Sequence, residues 1–230
     1  MAEDGKAPTG AAVRVRLWDG PTRIVHWAIV ILIAFSWWSA EVAKNLEWHR
    51  WSGYGVLGLI LFRLIWGFVG SSTARFASFV RGPAATLAYA KTLPRRAHAE
   101  TPGHNPVGAL SVLAILAALA TQVTTGLFAV DIDGIESGPL SDKVSFDTGR
   151  VFAKIHSVTF TAIEVLVILH IAAVVFYLAY KRSNLIAPMI TGRRAFTADP
   201  GLKFAPLWRA ILVALVAGGL TWFVMKGLRL

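Results

Sequence analysis

Five apolar runs, at about residues 22–40, 51–69, 107–130, 155–180 and 207–225, constrain this chain more than any other feature. Each approaches or exceeds the roughly 18 residues that mark a helix able to cross a hydrocarbon layer. In that layer every backbone N–H and C=O must find its partner inside the segment, so the runs read as transmembrane helices. The expected fold is all-α: a polytopic membrane protein built as a four-helix transmembrane bundle with a fifth transmembrane helix after it. Composition agrees, because a chain of 230 residues that is 55% hydrophobic and only 16% charged is unlike a soluble domain.

A net charge of +10 is the usual mark of a nucleic-acid binder, but its distribution excludes that partner. The bases fall in alternate segments. Lys6, Arg14, Arg16 and Arg23 precede or open helix 1. Arg75, Arg81, Lys91, Arg95 and Arg96 lie between helices 2 and 3. Lys181, Arg182, Arg193, Arg194, Lys203 and Arg209 lie between helices 4 and 5. The loop 131–154 instead holds Asp131, Asp133, Glu136, Asp142 and Asp147 against three bases. By the positive-inside rule the N-terminus is cytoplasmic and the C-terminus lies on the far side. The first 20 residues are polar, with Asp4 among them, and no small-residue cleavage site follows the first run, so an uncleaved first helix is expected. The chain then divides into a cytoplasmic N-terminal segment (1–20), a core (21–185), and a cytoplasmic linker with an additional helix (186–230). There is no cysteine, which excludes disulfides, thiolate iron–sulfur ligation and covalent attachment of a c-type haem.

Local signals refine this. In "WDGPTRIVHW", Asp19 is placed to cap helix 1, with Pro21 in its first turn. Trp37, Trp38, Trp48 and Trp51 gather where helices 1 and 2 meet the outer surface, as an aromatic belt does. "PAATLAYAKTL" (83–93) predicts a short amphipathic helix on the membrane, and "TPGHNP" (101–106) a turn into helix 3. Gly218 and Gly219 suit close packing of helix 5.

Four of the six histidines lie on the helices, where imidazole is expensive: His26, His49, His156 and His170. The last two are fourteen residues apart on one helix, a step that leaves them about 40° apart in direction and about 21 Å apart in height. His49 sits at the outer end of helix 2, level with His156. His26 lies fourteen residues below the outer end of helix 1, level with His170. Two level pairs result, His49 with His156 and His26 with His170, each able to hold a bis-His b-type haem. Zinc needs three or four donors together, and these donors come in separated pairs. His98 and His104 lie in or beside the cytoplasmic loop.

Gly53, Gly55 and Gly58, following His49, and Gly126 on helix 3 could admit a porphyrin close to the backbone, or could serve ordinary helix packing. Arg63, fourteen residues after His49, shares its face. It would there neutralise a haem propionate or snorkel to the surface, and Arg23 has the same two readings. Glu164 is midway along helix 4, where a carboxylate costs about 2.5–3.5 kcal/mol on insertion scales. A hydrogen bond to Ser or Thr of a neighbouring helix is expected, with proton supply to a quinone as the alternative.

The stretches "RIVHW", "HRWSGYGVLGLILFR" and "HSVTFTAIEVLVILHIAAVVFYLAYKRSNLIAPM" resemble the prokaryotic cytochrome b561 family. "WDGPTRIVHW" and "HNPVGALSVL" lean towards the branch that includes the cytochrome b subunit of nickel–iron hydrogenases. The resemblance implies a four-helix core with two haem b, axially held by His26, His49, His156 and His170, in a bacterial inner membrane. It also implies electron exchange between a periplasmic redox protein (cytochrome c or hydrogenase-like) and the quinone pool, with ubiquinone or menaquinone as the lipid-soluble partner. Two rivals stand beside this reading. One is a self-sufficient quinone-linked oxidoreductase of a small reductant such as superoxide, and the other a His-lined non-haem transporter.

Overall fold

The computed structural model describes residues 12–96, 101–132 and 136–229. Asp4, Lys6, His98 and Asp133 lie outside them. Among the described residues, five helices are long and apolar enough to cross a membrane. They are α1 (Gly20–Glu41), α2 (Leu46–Val69), α5 (Pro106–Phe128), α6 (Phe146–Ala179) and α8 (Leu207–Met225). The end of the bundle at which α1 begins is its lower end. Two short helices, α3 (Phe76–Phe79) and α4 (Pro83–Ala90), follow α2 there, and α4 ends three residues short of the expected span. A further short helix, α7 (Ile186–Thr191), separates α6 from the last span.

Capping sets the helix starts. Asp19 accepts a hydrogen bond from Thr22 N at 2.7 Å, Asn45 from Trp48 N at 3.0 Å, and Asn105 from Gly108 N at 2.8 Å. Each satisfies one of the orphan donors of a first turn. Ser145 caps α6 in the same way, so that helix begins nine residues earlier than the apolar pattern alone suggests. Its 34 residues rise about 51 Å, well beyond a hydrocarbon core of about 30 Å, so the polar first turns stand above the apolar layer.

Two antiparallel pairs, α1 with α2 and α5 with α6, make the core, and α2 also packs on α5 and α8. An apolar layer at mid-height joins all four core helices: Val56, Ile60, Leu119 and Ile163 are buried there, with Ile33 against them. On the other side of α2, Ala210, Val213 and Ala217 of α8 close over Phe62 and Trp66. Gly218 and Gly219 take no part in that contact. A Cβ at either would meet nothing within 4 Å, so the expected glycine packing face is replaced by the Ala210–Val213–Ala217 face. Trp37, Trp38, Trp48 and Trp51 remain 40–58% exposed at the upper end, and Trp38 stacks on Trp48 at 6.0 Å, as an interfacial belt does.

The pattern of apolar runs gave no sign of one feature. Residues Val13–Arg16 form β1 and Arg193–Phe196 form β2, paired antiparallel with Val13 opposite Phe196. Gly192, at φ +77°, turns α7 into β2, and its carbonyl accepts from Leu17 N and Trp18 N. The ribbon buries Leu17, Trp18 and Phe196 together under the lower end.

Candidate functional site

The structure brings the four intramembrane histidines together in the expected pairs. The ring centroids of His49 and His156 are 6.0 Å apart, and those of His26 and His170 are 6.4 Å apart. A metal–imidazole bond is about 2 Å and a ring nitrogen lies about 1.1 Å from its ring centre, so two axial imidazoles on one metal sit about 6.3 Å apart. Both pairs meet that spacing. Ile33, Val56 and Ile163 each lie seven residues after a histidine of their own helix, so the mid-height apolar layer falls between the two levels.

At the upper pair, hydrogen bonds fix the imidazoles. His49 Nδ1 lies 3.0 Å from the carbonyl oxygen of Ser36 and 3.1 Å from its Oγ. His156 Nδ1 lies 2.8 Å from the carbonyl oxygen of Gln122, with Thr125 Oγ1 at 3.5 Å. Carbonyls only accept, so each Nδ1 carries the proton and each Nε2 keeps its lone pair for a metal. The Gln122 side-chain amide donates to the His156 Nε2 at 3.0 Å, while its own Oε1 is buried without a partner. Gly126 makes room for the ring: a Cβ there would lie 2.9 Å from His156 Cε1. This glycine gives the His156 ring its space.

Neighbouring glycines divide similarly. A Cβ at Gly53 would meet nothing within 4 Å, whereas one at Gly55 would meet Leu32 at 2.8 Å and one at Gly58 would meet Thr221 of α8 at 3.2 Å. Gly55 and Gly58 are therefore helix-packing positions, and Gly53 alone faces open space.

At the lower pair the surroundings are cationic. Arg63 is 7% exposed, its Cζ lies 4.9 Å from the centre of the Phe76 ring, and its Nη1 has no hydrogen-bond partner. Asp19 lies within electrostatic range of it but already accepts from Thr22 N and from Trp66 Nε1, the latter at 3.1 Å. Arg23 donates through Nη1 to the carbonyl of Ile190, so it ties α1 to the end of α7, and its Nε is left buried and unpaired. His26 Nδ1 is also buried without a partner. The donor set is two imidazoles per level, with Arg63 and Arg23 near the lower pair, which suits an iron porphyrin whose edge is acidic.

The family model described as prokaryotic cytochrome b561 matches residues 17–192, a span that contains all four histidines. The chain belongs to the prokaryotic cytochrome b561 family. No curated protein and no solved structure gives a significant match. As a cytochrome b561 the protein is a multi-pass membrane protein that binds haem b and transfers electrons. α8 lies beyond the matched span, outside the family's core.

Other residues land differently from their expectation. Glu164 is exposed on the lateral surface of α6, and no hydrogen bond or ion pair is made by it among the described residues, so the expected bond to a neighbouring Ser or Thr is not formed. His104 is no mere loop residue: its ring lies 4.9 Å from Trp18 and 4.8 Å from Phe79. Sequence reasoning passed over Ser36, Gln122 and Thr125, although a glutamine within an apolar span is itself a signal of a buried polar contact.

Proposed function

We propose that each imidazole pair holds one haem b, His49 with His156 above and His26 with His170 below. The chain then passes electrons across a bacterial inner membrane between a periplasmic redox protein, a cytochrome c or a hydrogenase-like partner, and ubiquinone or menaquinone. The lower end, with Arg75, Arg81, Arg193 and Arg194, is cytoplasmic, and the C-terminus is periplasmic. The core of residues 21–185 carries the haems, and the fifth helix packs on its outside. The observation that carries this reading is the spacing of the two pairs, 6.0 and 6.4 Å, at two depths of one bundle.

Bound at these positions, haem supplies one-electron exchange between Fe(II) and Fe(III) with both axial sites filled. The chain supplies the rest. Ser36 and Gln122 carbonyls hold the upper imidazoles in the tautomer that can ligate. Ile33, Val56, Ile60, Leu119 and Ile163 keep the mid-height layer dry, so charge crosses as electrons and not as ions. Donors arranged in pairs, with no group of three or more His, Cys, Asp or Glu among the described residues, favour haem over a His-lined ion path. Gly53 lies one turn from His49 and leaves room beside it.

The test is purified protein in vesicles that contain quinone, with a reduced cytochrome c or an impermeant reductant added on one side. Quinol formation is expected with the wild-type chain and is expected to fall at least tenfold in His26→Ala and in His49→Ala. Quinol formation that survives either substitution, or that never occurs in the wild type, rejects the transmembrane electron path.

A further inference from the structure

Six buried side-chain polar atoms lack a hydrogen-bond partner among the described residues. One, Gln122 Oε1, is at the upper pair. The other five all gather at the lower end: Thr22 Oγ1, Arg23 Nε, His26 Nδ1, Arg63 Nη1 and His104 Nδ1. Buried polar atoms are nearly always bonded, so such a cluster calls for a missing partner. Two of its members are strong donors from separate elements, Arg63 on α2 and His104 in the turn before α5.

Short helix α3 holds both. Phe76 lies under the Arg63 guanidinium at 4.9 Å, and Phe79 lies against His104 at 4.8 Å. Gly67 lets Phe76 come that close, since a Cβ there would be 2.0 Å from the Phe76 ring. Trp18, fixed by the β1–β2 ribbon, closes on His104 from another side at 4.9 Å. His104 keeps part of its surface open, but its Nδ1 is shut off from solvent. Burial first, then the positive charge of Arg63 and the neighbouring imidazoles, pushes His104 down to about 3, so it is neutral and has one N–H to give. Asp19, the carboxylate within electrostatic range of Arg63, is already bonded twice and forms no ion pair with it.

We propose that Arg63 and His104 form the seat for a propionate carboxylate of the lower haem, with Arg63 Nη1 and His104 Nδ1–H each donating a hydrogen bond to it. The seat rests on the reading of His26 and His170 as that haem's axial pair. It gives the "GHNP" turn a function: Asn105 starts α5 and His104 reaches back over the lower site. It also explains why Arg63 stays in an apolar helix with Asp19 in range but no directly bonded carboxylate, because the hydrogen-bonded partner arrives with the cofactor.

The experiment uses the full, haem-loaded chain. Redox titration resolves the two haems, which are assigned by His26→Ala and His49→Ala, each leaving one. His104→Phe keeps a flat ring between Trp18 and Phe79 but removes the donor; Arg63→Gln removes the charge; Arg63→Lys restores it. In His104→Phe and Arg63→Gln the lower haem's midpoint potential is expected to fall, because an uncompensated carboxylate favours the ferric state. Its transfer to apomyoglobin should quicken about tenfold, as for the loss of one charge-assisted hydrogen bond. The upper haem should not change, and Arg63→Lys should recover most of the potential. An unmoved lower haem in His104→Phe overturns the seat even if Arg63→Gln fails to fold. A wild-type chain without haem, or a His26→Ala chain with full haem content, overturns the seat together with the axial assignment.

Discussion

Gly126 and His156 show how narrow the tolerance is for a single residue. A Cβ at 126 would stand 2.9 Å from His156 Cε1, closer than carbon atoms pack, so Gly126→Val must displace the ring that Gln122 and Thr125 orient. That substitution is expected to remove the upper haem and spare the lower, read as half the pyridine haemochrome per chain; unchanged haem content would contradict the placement. His104 gives a pH dependence. Its folded value, about 3, is depressed from an ordinary 6.5, so between those values the unfolded chain binds the proton more readily. In the haem-free chain stability is then complete above about pH 6.5 and lost as pH falls towards 3, and His104→Phe should flatten that fall in the thermal midpoint of the haem-free, detergent-solubilised protein. The imidazole pairs were legible in the sequence because a fourteen-residue step on one helix fixes direction and height together. His104 was not, because its partners Trp18 and Phe79 come from separate segments and only tertiary packing brings them near. Arg63 was legible as a residue lacking a counter-charge, and the structure leaves its Nη1 unpaired.

Among the elements, α6 and α8 illustrate what periodicity does and does not encode. Apolar runs located both helices, but the start of α6 is set by the Ser145 cap, a local signal weaker than hydropathy. In α8 the packing stripe is Ala210, Val213 and Ala217, while the conspicuous Gly218–Gly219 pair faces away. Gly218→Ala should therefore leave α2–α8 packing intact and raise thermal stability slightly, by up to about 1 kcal/mol from helix propensity. Ala217→Leu should lower the thermal midpoint without loss of haem, since α8 lies outside the core. Glu164 sits on an exposed face of α6 and touches no histidine pair, so Glu164→Leu is expected to keep the full haem content and to improve yield; loss of a haem would show that the carboxylate serves the core. The β1–β2 ribbon joins residues about 180 apart in the chain, and two four-residue strands carry too little pattern to announce a pairing over that distance.

For the whole molecule, the two hairpins α1–α2 and α5–α6 set four imidazoles at two heights, with an apolar layer between them and aromatic rings at the upper rim. Each level differs in its surroundings: carbonyl-bonded imidazoles above, unpaired cationic donors below. That asymmetry predicts two haems of unequal potential rather than two equivalent ones. The most direct test is the haem content of the purified chain by pyridine haemochrome, with the dithionite-reduced minus oxidised spectrum of the same sample. Two haem b per chain with low-spin bands is the expected result. One haem, none, or a high-spin band from an open axial position would contradict the assignment of His26, His49, His156 and His170 as two axial pairs.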